Sequence, residues 1–160
     1  MLDGKPRAAR REQGAANAPV REHGARESAE DGETRRVLVV DDVEDNRDLY
    51  ATYFEHWGFE AEQACDGEEA LAKIAKHTPD VVIMDLSMPK LDGWEATRLI
   101  KSNPRTTHVI VVVVTGNTTP ANLEAARAAG ADEVCAKPCL PRDLLERVRR
   151  RLDTRPPRSR

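Results

Sequence analysis

Residues 81–95 read VVIMDLSMPKLDGWE, and this stretch decides the fold. Val81 to Met84 is an unbroken apolar run, as expected for a strand covered on both faces. It ends on a carboxylate, Asp85. A short segment with Ser87, Met88, Pro89 and Lys90 then leads to a helix that begins near Gly93. Trp94, Thr97 and Ile100 or Leu99 fall on its inner side. A buried strand followed closely by such a helix is one β–α unit of a parallel sheet.

The same alternation extends outward in both directions. Upstream, Val37 to Val40 is an apolar run that reads as a strand. Asn46 to Trp57 then places Leu49, Tyr53 and Trp57 four residues apart, with Tyr50 and Phe54 beside them, and Gly58 stops the helix. Glu60 to Ala64 is a short second strand. Asp66 opens the next helix with Glu69 three residues on, a capping box with Asp as the cap. Downstream, Val109 to Val114 is the fourth strand. Thr119 caps a helix with Pro120 at its first position, and Gly130 ends it. Glu133 to Ala136 is the fifth strand, and the last helix runs from Pro141 with Leu144, Leu145, Val148 and Leu152 on one face. Five such units predict an α/β fold, a doubly wound parallel sheet with helices on both sides, in one domain.

Composition sets the outer bounds. At 160 residues and 39% hydrophobic, the chain can build one core. Its longest apolar run, Val109 to Val114, is far short of the roughly 20 residues that span a bilayer. The N-terminus has no apolar signal-peptide region, so the chain reads as cytoplasmic. Residues 1–34 hold no aromatic residue and no Ile, and are expected to be a disordered extension. Residues 35–153 are expected to form the folded domain, and 154–160, TRPPRSR, a flexible basic tail. Residues 37–146 carry 20 acidic and 10 basic side chains, which argues against nucleic acid as a partner, because phosphate contacts need Lys and Arg. The run from Arg149 through Arg151 reads as the solvated end of a last helix, with contact to an acidic partner, nucleic acid or membrane as the alternative. Cys65, Cys135 and Cys139 stand at no zinc-like spacing and read as reduced thiols packed as small hydrophobes, with a redox sensor as the alternative.

The residues that carry chemistry fall at the carboxyl ends of strands 1, 3, 4 and 5. They are Asp41-Asp42, Asp85, Thr115 and Lys137-Pro138. In an open α/β sheet, ligands bind outside those strand ends, so positions distant in sequence converge there. Alone, the Asp41-Asp42 pair would read as a solvated loop or a helix cap. Beside Asp85 it makes three carboxylates, which repel unless a cation is near. Three acidic oxygens with backbone carbonyls and water suit Mg²⁺, a hard ion that prefers oxygen.

Residue by residue, VLVVDDVEDNR, VVIMDLSMPKLDGWE, VVVVTG and VCAKP resemble the response-regulator receiver family of two-component signalling, over about residues 35–152. The resemblance implies a CheY-like, flavodoxin-like (βα)5 fold with strand order 2-1-3-4-5. It implies that Asp85 is the phosphoacceptor, taking a phosphoryl group from a phosphohistidine on a sensor histidine kinase or histidine phosphotransfer protein. An ionised carboxylate needs no general base for that attack. Mg²⁺, with Mn²⁺ as an alternative, would be held by Asp42, by Asp41 directly or through water, by Asp85, and by the backbone carbonyl of Ser87. Lys137 would pair with a phosphoryl oxygen, and its bond to Pro138 would be cis. The Thr115 hydroxyl would bond the phosphoryl group and shift the loop after strand 4.

Some positions depart from the family pattern. Val134 stands where the family usually has an aromatic residue, three positions before the lysine, so readout through a swinging ring is not expected. Ser87 and Asn117 occupy positions the resemblance links to the lifetime of the phosphorylated state. The expected output is phosphorylation-dependent docking of an unidentified downstream protein, with a phosphorelay shuttle or phosphate sink as variants and homodimerisation on phosphorylation left open. A receiver that works without phosphorylation and a phosphatase that works through an aspartyl-phosphate are the competing classes. The first conflicts with the full set of acceptor-site residues. The second wants an acid two residues after Asp85, where Ser87 stands.

Overall fold

The computed structural model describes residues 33–155. The expected extension and tail therefore fall almost wholly outside the described residues. The elements alternate without exception: β1 (Arg36–Val40), α1 (Glu44–His56), β2 (Glu60–Ala64), α2 (Gly67–Lys76), β3 (Val81–Asp85), α3 (Gly93–Ser102), β4 (Ile110–Thr115), α4 (Pro120–Ala128), β5 (Glu133–Ala136) and α5 (Pro141–Asp153). The sheet order is β2-β1-β3-β4-β5, all parallel, as the resemblance implies.

The inner strands read as unbroken apolar runs because both of their faces are covered. Every residue of β3 and β4 is buried. Successive side chains of a strand point to opposite faces. Val81 and Ile83 therefore join Tyr50, Phe54, Leu144 and Val148 beneath α1 and α5. Val82 and Met84 join Ala70, Ile74, Ala96 and Ile100 beneath α2 and α3. Each fully buried Val or Ile contributes about 1.5–3 kcal/mol relative to an exposed one, so these two layers dominate the stability of the domain.

Three helices, α2, α3 and α4, begin at a side-chain cap, whereas α1 and α5 begin at Val43 and Leu140 without one. Asp66 accepts the Glu69 amide at 2.8 Å, Asp92 accepts that of Glu95 at 2.9 Å, and Thr119 that of Asn122 at 3.4 Å. Glu69 reaches back to the Cys65 amide at 2.8 Å, one residue before the cap and not to the cap itself. Gly130, after α4, has φ of +96°, a left-handed conformation that strains a residue with a Cβ.

One helix face differs from expectation. Leu49 is 54% exposed, and the buried residues of α1 are Tyr50, Ala51 and Phe54. Aromatic residues occupy two adjacent stripes of this helix, and the sheet takes the Tyr50–Phe54 stripe while Tyr53 and Trp57 pack at its margin. α4 is anchored most lightly, with Ala126 as its single buried residue.

Candidate functional site

Strand register brings the acids together. Val40 of β1 lies opposite Met84 of β3, so the next residues, Asp41 and Asp85, sit side by side at the carboxyl edge. Asp85 in turn pairs with Val114 of β4, and Thr115 with Ala136 of β5. Carboxylate oxygens of Asp41, Asp42 and Asp85 lie within 4.8 Å of one another. Asp41 and Asp85 are buried, at 3% and 5% exposure, while Asp42 faces solvent.

Lys137 bridges the two buried acids. Its Nζ is 3.4 Å from Asp41 Oδ2 and 3.5 Å from Asp85 Oδ2. The Lys137-Pro138 peptide bond is cis, as the resemblance implies. Burial pushes the Asp85 carboxyl above the ordinary aspartate range and the Asp41 charge pushes the same way, against the pull of Lys137. For Lys137, burial would lower the ammonium, but the Asp85 and Asp41 carboxylates outweigh it and hold its pKa above the usual lysine value. Three carboxylates against one ammonium leave a surplus of negative charge. That surplus, on hard oxygen donors at the carboxyl edge of the sheet, fits a divalent cation such as Mg²⁺.

Thr115 is buried at the end of β4, and its Oγ1 accepts the Asn117 amide at 3.1 Å. The Lys137 amide donates to the Thr115 carbonyl at 2.8 Å, which ties the two strand ends together. Ser87 is exposed, and its amide donates to Asp85 Oδ1 at 3.3 Å. Val134 is half-buried against the α2–α3 layer.

Several supporting residues escaped the sequence reading. Asn46 Nδ2 donates to Asp41 Oδ2 at 3.3 Å, and Arg47 donates to the Asp41 carbonyl at 2.7 Å. Their signal is an amide and a guanidinium in the first turn of α1, five and six residues after Asp41. The Tyr50 hydroxyl donates to the Cys139 carbonyl at 2.8 Å. Gly93 matters for a different reason. A Cβ there would lie 2.1 Å from the Asp85 carbonyl oxygen, so only glycine lets the start of α3 close over the backbone of Asp85.

The cysteines correct an expectation. Cys135 and Cys139 are joined in a disulfide, not held as separate thiols, and Cys65 alone is free and exposed. The end of β5 and the turn after it carry both sulfurs into the layer beneath α1 and α5, with their Cα atoms 6.4 Å apart, inside the range a disulfide spans.

Comparisons with known proteins converge. A family model described as the response regulator receiver domain matches residues 37–149. The CAI-1 autoinducer sensor kinase/phosphatase CqsS of Vibrio cholerae is 37% identical over 112 residues, which are 69% of this chain and 16% of that protein. Response regulator PleD of Caulobacter vibrioides is 35% identical over 114 residues, 71% of this chain and 25% of PleD. The chain thus spans a quarter or less of the length of these two relatives. Among solved structures, chemotaxis response regulator CheY4 of Vibrio cholerae aligns with a TM-score of 0.70 at 32% identity, covering 74% of this chain and 98% of that one.

Proposed function

This chain belongs to the response regulator receiver domain family, and on that premise we propose that Asp85 accepts a phosphoryl group from a phosphohistidine on a sensor kinase or phosphotransfer protein. The observation that carries this reading is the convergence of Asp41, Asp42 and Asp85 within 4.8 Å, with Lys137 across the two buried acids. The receiver unit spans residues 35–153 and works in the cytoplasm.

Each side chain has a task that follows from its place. Asp85 Oδ forms the new P–O bond as the P–N bond to the partner imidazole breaks. Lys137 gives up its contact with Asp85 and pairs with a phosphoryl oxygen, so one positive charge serves both states. Asn46 and Arg47 hold Asp41 from the first turn of α1. Asp41, Asp42, Asp85 and the Ser87 carbonyl would hold Mg²⁺. When bound, that ion offsets the charge of a phosphoryl group brought among carboxylates. The Thr115 hydroxyl turns toward the phosphoryl group, and the β4–α4 loop follows it. The protein catalyses its own phosphorylation and dephosphorylation, and signals by docking a downstream protein.

Incubation of the purified chain with Mg²⁺ and acetyl phosphate tests the reading by intact mass. The expected result is a gain of one phosphoryl group in the native chain and none in Asp85→Asn. The same mass change in the two would overturn it.

A further inference from the structure

Cys135 and Cys139 flank Lys137 by two residues on each side and are bonded to each other. Cys135 is fixed in β5 by its pairing with Val114, whereas Cys139 lies in the turn before α5. Both are buried among residues of α1 and α5, at 5% and 8% exposure. The residues around them are open: Ala136 and Pro138 are exposed, and Leu140 is 58% exposed. Past the β4–β5 pairing, the backbone of this segment is held by hydrogen bonds from the Lys137 amide to the Thr115 carbonyl and from the Tyr50 hydroxyl to the Cys139 carbonyl, and the Lys137 ammonium by Asp41 and Asp85. The S–S bond therefore closes a small ring whose middle residue carries the ammonium between Asp41 and Asp85.

Resting on the reading of Asp85 as acceptor, we propose that Cys135–Cys139 is a reversible thiol–disulfide modification site, oxidised by a hydroperoxide and reduced by a dithiol, whose oxidised form holds Lys137 in place for phosphoryl acceptance. In the forward step one cysteine sulfur attacks the O–O bond of hydrogen peroxide, giving a sulfenic acid and one water. The second thiol displaces the sulfenic hydroxyl, the S–S bond forms, and a second water leaves. Two electrons pass from the sulfurs to the peroxide, and the two thiol protons end in water. In the return step a dithiol attacks one sulfur, passes through a mixed disulfide, and closes on itself, leaving two cysteine thiols.

The coupling is conformational. A cross-link removes backbone arrangements that an open segment would sample, and an ammonium held at the acceptor needs no reordering before reaction. Opening the ring leaves the long Lys137 stem on a looser turn. Cys65, exposed at the end of β2, takes no part.

The test uses the full chain treated with hydrogen peroxide or with dithiothreitol. Iodoacetamide under denaturing conditions, read by mass, is expected to label one cysteine in the oxidised protein and three in the reduced one. Phosphoryl gain from acetyl phosphate with Mg²⁺ is expected to be several-fold slower after reduction. The Cys135→Ser/Cys139→Ser double variant should show the slow rate under both treatments, and Cys65→Ser should keep the difference. Equal labelling in the two states overturns the proposal. Equal rates with phosphoryl gained in both states overturn the coupling and leave the acceptor reading standing. No phosphoryl gain in either state overturns the acceptor reading, and the coupling with it.

Discussion

β3 has a buried aspartate at each end. Asp80, immediately before its first residue, is 4% exposed, and Asp85, its last, is 5% exposed. Their surroundings differ. Asp80 accepts the Arg36 amide at 2.9 Å and faces the guanidinium groups of Arg35 and Arg155 at 3.7 and 3.6 Å. Asp85 shares the Lys137 ammonium with Asp41, and Asp42 stands close by. At the amino edge of the sheet positive charge meets the acid in full. At the carboxyl edge it falls short. Burial of a carboxylate therefore does not identify a site, because a well-paired buried acid serves the fold alone. The uncompensated surplus at the other end is what points to an incoming cation.

The contrast can be broken by neutralising each acid in turn. Asp85→Asn is expected to abolish phosphoryl gain while leaving the urea midpoint unchanged or higher, because it relieves repulsion within the cluster. Asp80→Asn is expected to do the opposite. It should lower unfolding free energy by about 2–4 kcal/mol, since cations and an amide lose their buried partner, while the folded protein still gains the phosphoryl group. If the two variants exchanged these phenotypes, the distinction between the edges would fail.

Metal addition sharpens the same comparison with a smaller effect. Mg²⁺ at about ten times its dissociation constant should stabilise the native chain by about 1.4 kcal/mol in urea melts. Asp42→Ala should lose most of that shift and Asp80→Asn should keep it. A full shift in Asp42→Ala would remove the acidic pair from the cation's coordination. The smallest effects are titrations, read by carbon-13 shifts in Mg²⁺-free buffer. Asp85 should titrate above the ordinary aspartate range, raised first by burial, so its contribution to stability is present in acid and lost as pH rises through its folded value. Glu69, bonded to Cys65 and Lys73, should titrate near about 2. Its contribution is present above the ordinary glutamate value and fades as pH falls toward about 2.

Much of this was legible in the sequence because the inner strands are buried on both faces. A run such as Val81 to Met84 has few alternatives to a central strand, and strand ends fix where Asp41, Asp85 and Thr115 must fall. The inner face of α1 was misphased because Leu49, Tyr53 and Trp57 form as regular a stripe as Tyr50 and Phe54. Only contact with the sheet chooses between them. The anchors of Asp41 and the bond between Cys135 and Cys139 were hidden for a related reason. The spacing offers the residues, but which side chains of α1 turn back to Asp41, and whether the turn after β5 brings the two sulfurs together, depends on how the chain leaves each strand end.

α4 carries one buried side chain, Ala126, whereas α5 at the other side of the sheet buries Leu144, Leu145 and Val148. Detaching α4 exposes one fully buried methyl group and the half-buried Leu123, whereas detaching α5 exposes three fully buried branched side chains, so α4 should open at the lower free energy. The helix joined to Thr115 by a short exposed loop is thus the segment of the domain whose excursions are cheapest. A change in that loop can reposition α4 while the two core layers beneath the helices stay as they are.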